Sequence, residues 1–124
     1  MGEASDLGSI RLETAFRDVD GEKVLDVVGE IDVYTAPKFK QAVNEMLDAG
    51  QKHLLINMAG VTYMDSSGFG ALLSATKRLK PEGGTVNLVS CSPAIDRILR
   101  ITRLNTVFAT FDSLEDAVRA VKGA

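Results

Sequence analysis

Residues 54–58, Leu54-Leu55-Ile56-Asn57-Met58, make an apolar run too short for a buried helix and without the polar alternation of a strand that has one wet face. Such a run marks a strand covered on both sides, the usual state of a strand in the middle of a parallel sheet. This constrains the chain to a sheet with helices packed on its faces, and the flanking sequence supplies them. Thr35-Ala36-Pro37 opens a helix, with Thr35 at the N-cap and proline in the first turn. Phe39, Val43, Met46 and Leu47 follow on one face, and Gly50 ends it.

Downstream, a helix carries Leu72, Leu73, Thr76 and Leu79 on its apolar side and is closed by Pro81 and Gly83-Gly84. Residues 86–89 read as a second buried strand. Ser92-Pro93 starts a helix with Ile95, Ile98, Leu99 and Thr102 on one side, and residues 106–111 read as a last strand. Asp112 or Ser113 caps a final helix bearing Leu114, Ala117, Val118 and Val121. Upstream, 10–16 alternates like a half-buried strand and 24–28 is a second, with Asp20-Gly21 between them as a hairpin turn. The acids around that turn sketch a calcium loop, but its ligand spacing and closing glutamate are missing. The order is β-β-α-β-α-β-α-β-α, an α/β fold. Helical crossovers make the sheet largely parallel and the opening hairpin makes it mixed. The pattern leaves the strand order open.

A chain of 124 residues fits one domain and can bury a core without metal or disulfide support. The net charge of -3 and scattered lysines and arginines argue against nucleic-acid binding and against an anionic membrane surface. No apolar run approaches the roughly 18 residues of a membrane span. Cys91 is the single cysteine, which fits a reducing cytoplasm. Residues 1–8 are expected to be a disordered lead without a secretory signal or a myristoylation pattern, position 6 being Asp. No cofactor is expected.

The least generic stretch is Tyr63-Met64-Asp65-Ser66-Ser67-Gly68-Phe69-Gly70. A serine nucleophile elbow needs glycines two before and two after the serine, and Ser66 has Met64 ahead. The only histidine, His53, sits at the entrance to a strand as a surface or capping side chain, so no base is at hand. Neither a Walker loop nor a dinucleotide fingerprint is met, since the chain runs Gly68-Phe69-Gly70-Ala71 with no lysine. Asp65 as a response-regulator phosphoacceptor would need an acidic pair after the first strand, where this chain has a hairpin. What remains is a hydroxyl at a helix N-terminus. Asp65 or Ser66 as an ordinary N-cap explains one polar residue. The second serine and two glycines in a first turn, each glycine costing roughly 1 kcal/mol against alanine, point equally to a modified or partner-contacting serine.

Asp65-Ser66-Ser67-Gly68-Phe69-Gly70 closely resembles the D-S-[ST]-G-[LF]-G signature of bacterial anti-sigma factor antagonists, members of the STAS domain family. The resemblance spans nearly the whole chain. Gly29-Glu30-Ile31-Asp32 with Thr35-Ala36 resembles the family's G-E-[IL]-D segment and helix start; residues 57–64 resemble its strand and lead-in; Ser92-Pro93 resembles the start of its third helix. The resemblance implies a STAS-type single domain over 9–124 that is not an enzyme. Ser66 would be phosphorylated by the partner itself, an anti-sigma factor serine kinase. Unphosphorylated chain would bind that kinase and release the sigma factor, phosphorylation would switch binding off, and a serine phosphatase would reset it. Partner contact would fall on Asp32, Asp65, Ser66, Ser67, Gly68 and Gly70: Asp65 shaping the phosphoacceptor, the glycines allowing close docking, and Asp32 pairing with a basic partner residue. The alternative within the family is a contact module, never phosphorylated, of a stress-sensing or lipid-transport complex. Phe69 departs from the commoner leucine.

Overall fold

The computed structural model describes residues 11–124. Its elements are β1 (Leu12–Val19), β2 (Glu22–Ile31), α1 (Ala36–Asp48), β3 (His53–Met64), α2 (Ser66–Leu79), β4 (Thr85–Val89), α3 (Pro93–Ile101), β5 (Ala109–Phe111) and α4 (Leu114–Lys122). Single 3-10 turns lie at Lys80–Glu82 and Leu104–Thr106. The expected α/β order with a mixed sheet is therefore present.

The sheet order is β1-β2-β3-β4-β5, antiparallel between β1 and β2 and parallel across the other three pairs. Each parallel crossover steps to the next strand in one direction, so crossovers of one hand stack their helices on one face. Accordingly Phe39 and Val43 of α1, Leu72 of α2 and Leu99 of α3 share a core with Leu25, Ile56 and Leu88. The other face is closed by α4, whose Ala117, Val118 and Val121 meet Val24, Leu55 and Val89. Residue 55 thus faces one helical layer and residues 54 and 56 the other, as the unbroken apolar run requires.

Several boundaries differ from the sequence pattern, each for a local reason. β1 runs on to Val19, because Asp18 and Val19 pair with Lys23 and Glu22; Ile10, like the expected lead 1–8, lies outside the described residues. The Asp20-Gly21 turn has positive φ at both positions (52° and 85°), the conformation whose twist matches a two-residue hairpin. β3 continues six residues past Met58. Two register shifts against β2 insert extra residues in β3, so its core-facing side chains step by two to Met58 and then by three to Val61 and Met64. An alternation search loses such a strand at the first bulge. β5 is shorter than expected, since Arg103 at φ 63° leads into a 3-10 turn and the Val107 and Phe108 N–H groups bond back to the Leu104 carbonyl at 2.9 Å.

The end of β2 is held by close backbone approach. The Glu30 N–H donates to the Arg11 carbonyl at 2.8 Å, and Gly29 adopts φ 121° beside it. A Cβ at Gly29 would stand 2.0 Å from that carbonyl oxygen. Gly29→Ala should lower stability by about 2 kcal/mol or more through strain and displacement of β1, read as a shift in the urea unfolding midpoint.

Candidate functional site

Parallel strands end at one edge of a sheet, so the loops that leave β2, β3 and β4 gather there. β1, antiparallel to β2, begins at the same edge. The β2–α1 loop and the start of α2 touch directly: the Asp65 N–H donates to the Ile31 carbonyl at 3.0 Å. These two segments carry the residues singled out above, Asp32 on one and 65–70 on the other.

Asp65 is the N-cap of α2. Its backbone is extended (φ -104°, ψ -170°) and its Oδ1 accepts the Ser67 N–H at 2.9 Å. The Asp65 carbonyl accepts from the Gly68 and Phe69 N–H groups at 3.0 and 3.3 Å, which closes the first turn. Ser66 is therefore the first helical residue and is not needed as a cap. Its side chain is exposed, and neither its hydroxyl nor its N–H bonds to another described residue. It stands where backbone N–H groups and the positive end of the helix dipole favour an anion. Ser67 is half-buried.

The two glycines differ. Gly70 is exposed and a Cβ there would meet nothing within 4 Å. Gly68 is buried, and a Cβ would fall 2.5 Å from Met64 Cγ and 2.8 Å from Ile31 Cγ2. Gly68 therefore lets α2 sit down on β2 and β3, whereas Gly70 leaves the surface of α2 bare. Phe69 is buried and packs despite replacing the commoner leucine.

Asp32 is engaged within the chain. Its carboxylate is buried and turned inward: Oδ1 accepts the Tyr34 and Thr35 N–H groups at 2.9 and 3.0 Å, while Oδ2 forms an ion pair with Arg11. Arg11 also reaches Glu30 at 2.9 Å. Thr35 holds the N-cap position of α1, but its hydroxyl does not cap; it donates to the Glu30 carbonyl at 2.7 Å and accepts the Asp32 N–H at 2.9 Å. Burial pushes the Asp32 carboxyl up, yet the Thr35 and Tyr34 N–H groups and the Arg11 charge outweigh it and hold it below the usual aspartate value. The chain instead exposes the residues of that loop that the sequence reading passed over, Val33 and Tyr34, at 62% and 82%.

Two grooves flank the first turns of α2, and Gly70 lines both. One, of about 620 Å³, lies against α1 between Val33, Ala36, Pro37, Lys40, Ser67 and Ser74. The other, of about 380 Å³, is nearly all apolar and lies against α3 between Met64, Ser66, Phe69, Leu73, Ile98 and Leu104. Leu73 and Ile98, which lie on the apolar sides of their helices by spacing, are the groove walls, 40% and 38% exposed. A helical period marks which side is apolar and not whether that side is covered. Cys91 stands apart, its thiol pushed up to about 11 by burial and by Asp96, so it is not a ready nucleophile. His53, at the far end of β3, pairs through Nδ1 with the Thr85 hydroxyl at 2.8 Å. Among the described residues no helix is long and apolar enough to cross a membrane.

The STAS domain profile matches residues 13–117, and the chain belongs to that family. Its relatives include the anti-sigma-B factor antagonist of Listeria monocytogenes, 35% identical over 99 residues that cover 80% of this chain and 86% of the relative. The anti-sigma-B factor antagonist of Staphylococcus aureus is 29% identical over 107 residues, 86% of this chain and 97% of that one. Among solved structures, an anti-sigma factor antagonist from Mycobacterium paratuberculosis matches with a TM-score of 0.81 and 32% identity, covering 90% of this chain and 94% of the other.

Gly70→Ala should leave the free protein as stable or up to about 1 kcal/mol more stable, while Gly68→Ala destabilises it by crowding Met64 and Ile31; chemical denaturation compares the two. A carboxyl lowered by folding stabilises above its unfolded pKa of about 3.9 and loses that contribution as pH falls through the folded value. Asp32→Asn should therefore cost stability at neutral pH and flatten the loss below about pH 4, seen in unfolding midpoints measured from pH 7 to pH 2.

Proposed function

We propose that the chain is an anti-sigma factor antagonist that works by partner switching. In its unphosphorylated form it binds an anti-sigma factor that is also a serine kinase, and the sigma factor is released. Transfer of the ATP γ-phosphoryl group to the Ser66 hydroxyl, with loss of the hydroxyl proton, switches binding off; hydrolysis by a serine phosphatase restores it. The observation that carries this reading is Ser66 itself: exposed, unbonded to other described residues, and spare as a cap because Asp65 does that work. A serine kept only for helix capping would hold the bond that Asp65 holds.

The names of the relatives support an anti-sigma partner, and the surroundings of Ser66 support the switch. A phosphoserine adds roughly -1.5 to -2 charge at pH 7. At the first residue of α2 that charge meets the positive helix end, so the fold tolerates it. Against a partner seated in the adjoining apolar groove, the same charge is stripped of water beside Phe69 and Leu73. A hundredfold loss of affinity needs only about 2.7 kcal/mol, less than an uncompensated buried charge costs. Gly70 leaves the α2 surface bare between the two grooves, where the kinase must bring its phosphoryl group close.

With the anti-sigma kinase of the source organism, ATP and magnesium, peptide mass spectrometry should place one phosphate on Ser66, absent in Ser66→Ala. Ser66→Ala should fold normally and bind that kinase constitutively; Ser66→Asp should fold and bind about a hundredfold more weakly. Phosphate on Ser67 would keep the function and move the site. Stable binding without any phosphate would instead assign a contact module. If both variants bound like the parent protein, the switch would be wrong.

A further inference from the structure

The strongest feature left over is the arrangement around Asp32. Three donors hold the Asp32 carboxylate: the Tyr34 and Thr35 N–H groups on Oδ1 and the Arg11 guanidinium on Oδ2. Its side chain is only 12% exposed. A basic residue arriving on a partner would find a carboxylate already paired with Arg11 and nearly covered. The same bonds have an evident product, because they fold residues 32–35 into a tight turn that thrusts Val33 and Tyr34 outward. Large apolar side chains this exposed at a loop tip usually meet something, and tyrosine is among the residues that carry most binding energy at interfaces.

We infer that Arg11 and Asp32 are positioning residues for partner recognition: together they set the β2–α1 turn so that Val33 and Tyr34 contact the partner, and Asp32 does not itself touch it. The inference rests on the reading of Ser66 above, since its occupant is the same protein that phosphorylates that serine. Continuity argues for one occupant. Val33 lines the groove that also holds Ser67 and Gly70, so a body placed over Ser66 extends onto the turn. The turn is also fixed to the start of α2 through the Asp65 N–H on the Ile31 carbonyl, one residue before Asp32. The partner chemistry that fits is an apolar pocket taking the Tyr34 ring beside the kinase active site, rather than an arginine seeking a carboxylate. Arg11 contributes from the residue before β1, 21 positions away in sequence, which makes the entry to the first strand part of the recognition apparatus.

The test uses the full chain and four variants, Arg11→Gln, Asp32→Asn, the double variant and Tyr34→Ala. Hydrogen exchange on the free protein comes first. Arg11→Gln and Asp32→Asn should each speed exchange of the Tyr34 and Thr35 amides by about tenfold, with amides of β3 unchanged. Affinity for the anti-sigma kinase of the source organism comes second. Tyr34→Ala should weaken binding by about tenfold or more while leaving the amide exchange and urea midpoint as they were. Arg11→Gln and Asp32→Asn should weaken binding by similar factors, and the double variant by no more than either, because both act through one turn. The inference is overturned if Arg11→Gln binds like the parent while Asp32→Asn does not, since Asp32 is then a direct contact. Unchanged amide exchange in Arg11→Gln, or unchanged binding of Tyr34→Ala, overturns it as well. If that kinase fails to bind even the parent protein, the function reading falls, and the exchange result still decides whether Arg11 holds the turn.

Discussion

The pairing of β2 with β3 sets everything at the candidate site. β3 lies in the middle of the sheet, with Leu54, Ile56 and Met58 under one helical layer and Leu55 under the other, all fully buried. A strand held on both faces cannot slip by one residue without driving its apolar side chains into the wrong layer. Past Met58 the two bulges carry β3 forward against β2 until Met64 faces Ile31. Asp65 then emerges beside the end of β2 and bonds its carbonyl. Gly60 makes the passage possible, since a Cβ there would strike Val28 Cγ2 at 2.8 Å and the Val27 carbonyl at 3.0 Å.

This geometry separates two demands that fall on the same six residues. Asp65 and Gly68 look inward, one capping the helix and the other letting it sit on Met64 and Ile31. Ser66 and Gly70 look outward and contribute little to the fold. Because the folding work is done by their neighbours, the charge that the proposed switch adds at Ser66 need not unfold α2. The half-buried Ser67 lies between these roles, its N–H committed to Asp65.

The second segment follows the same division. Asp32 and Thr35 are committed to the turn, and Arg11 ties that turn to the first strand. Val33 and Tyr34 are left over by the bonding and exposed by it. On α3, Ile95 and Leu99 complete the core, while Ile98 and the 70% exposed Ile101 extend the apolar surface beyond it. The site is thus a ring of uncommitted residues around one helix end, each held in place by a committed neighbour.

By itself the sequence determined the α/β class, the element order, the hairpin turn at Asp20-Gly21 and the family resemblance. These rest on local signals: runs of two- and 3.6-residue period, caps and turn residues, and a short motif read without any contact information. Cap identities were legible in part, since Ser92 and Ser113 cap α3 and α4 as such residues do. The length of β3 was not, because bulges break the period on which a strand is recognised. Nor was the direction in which Asp32, Gly68, Leu73 and Ile98 face. An aspartate in a loop looks the same in sequence whether a partner or Arg11 neutralises it, and a leucine on a helix looks the same whether a neighbouring element covers it or not. Only tertiary structure decided those, because a side chain's role is set by what lies across the space in front of it, and that neighbour comes from a distant part of the chain.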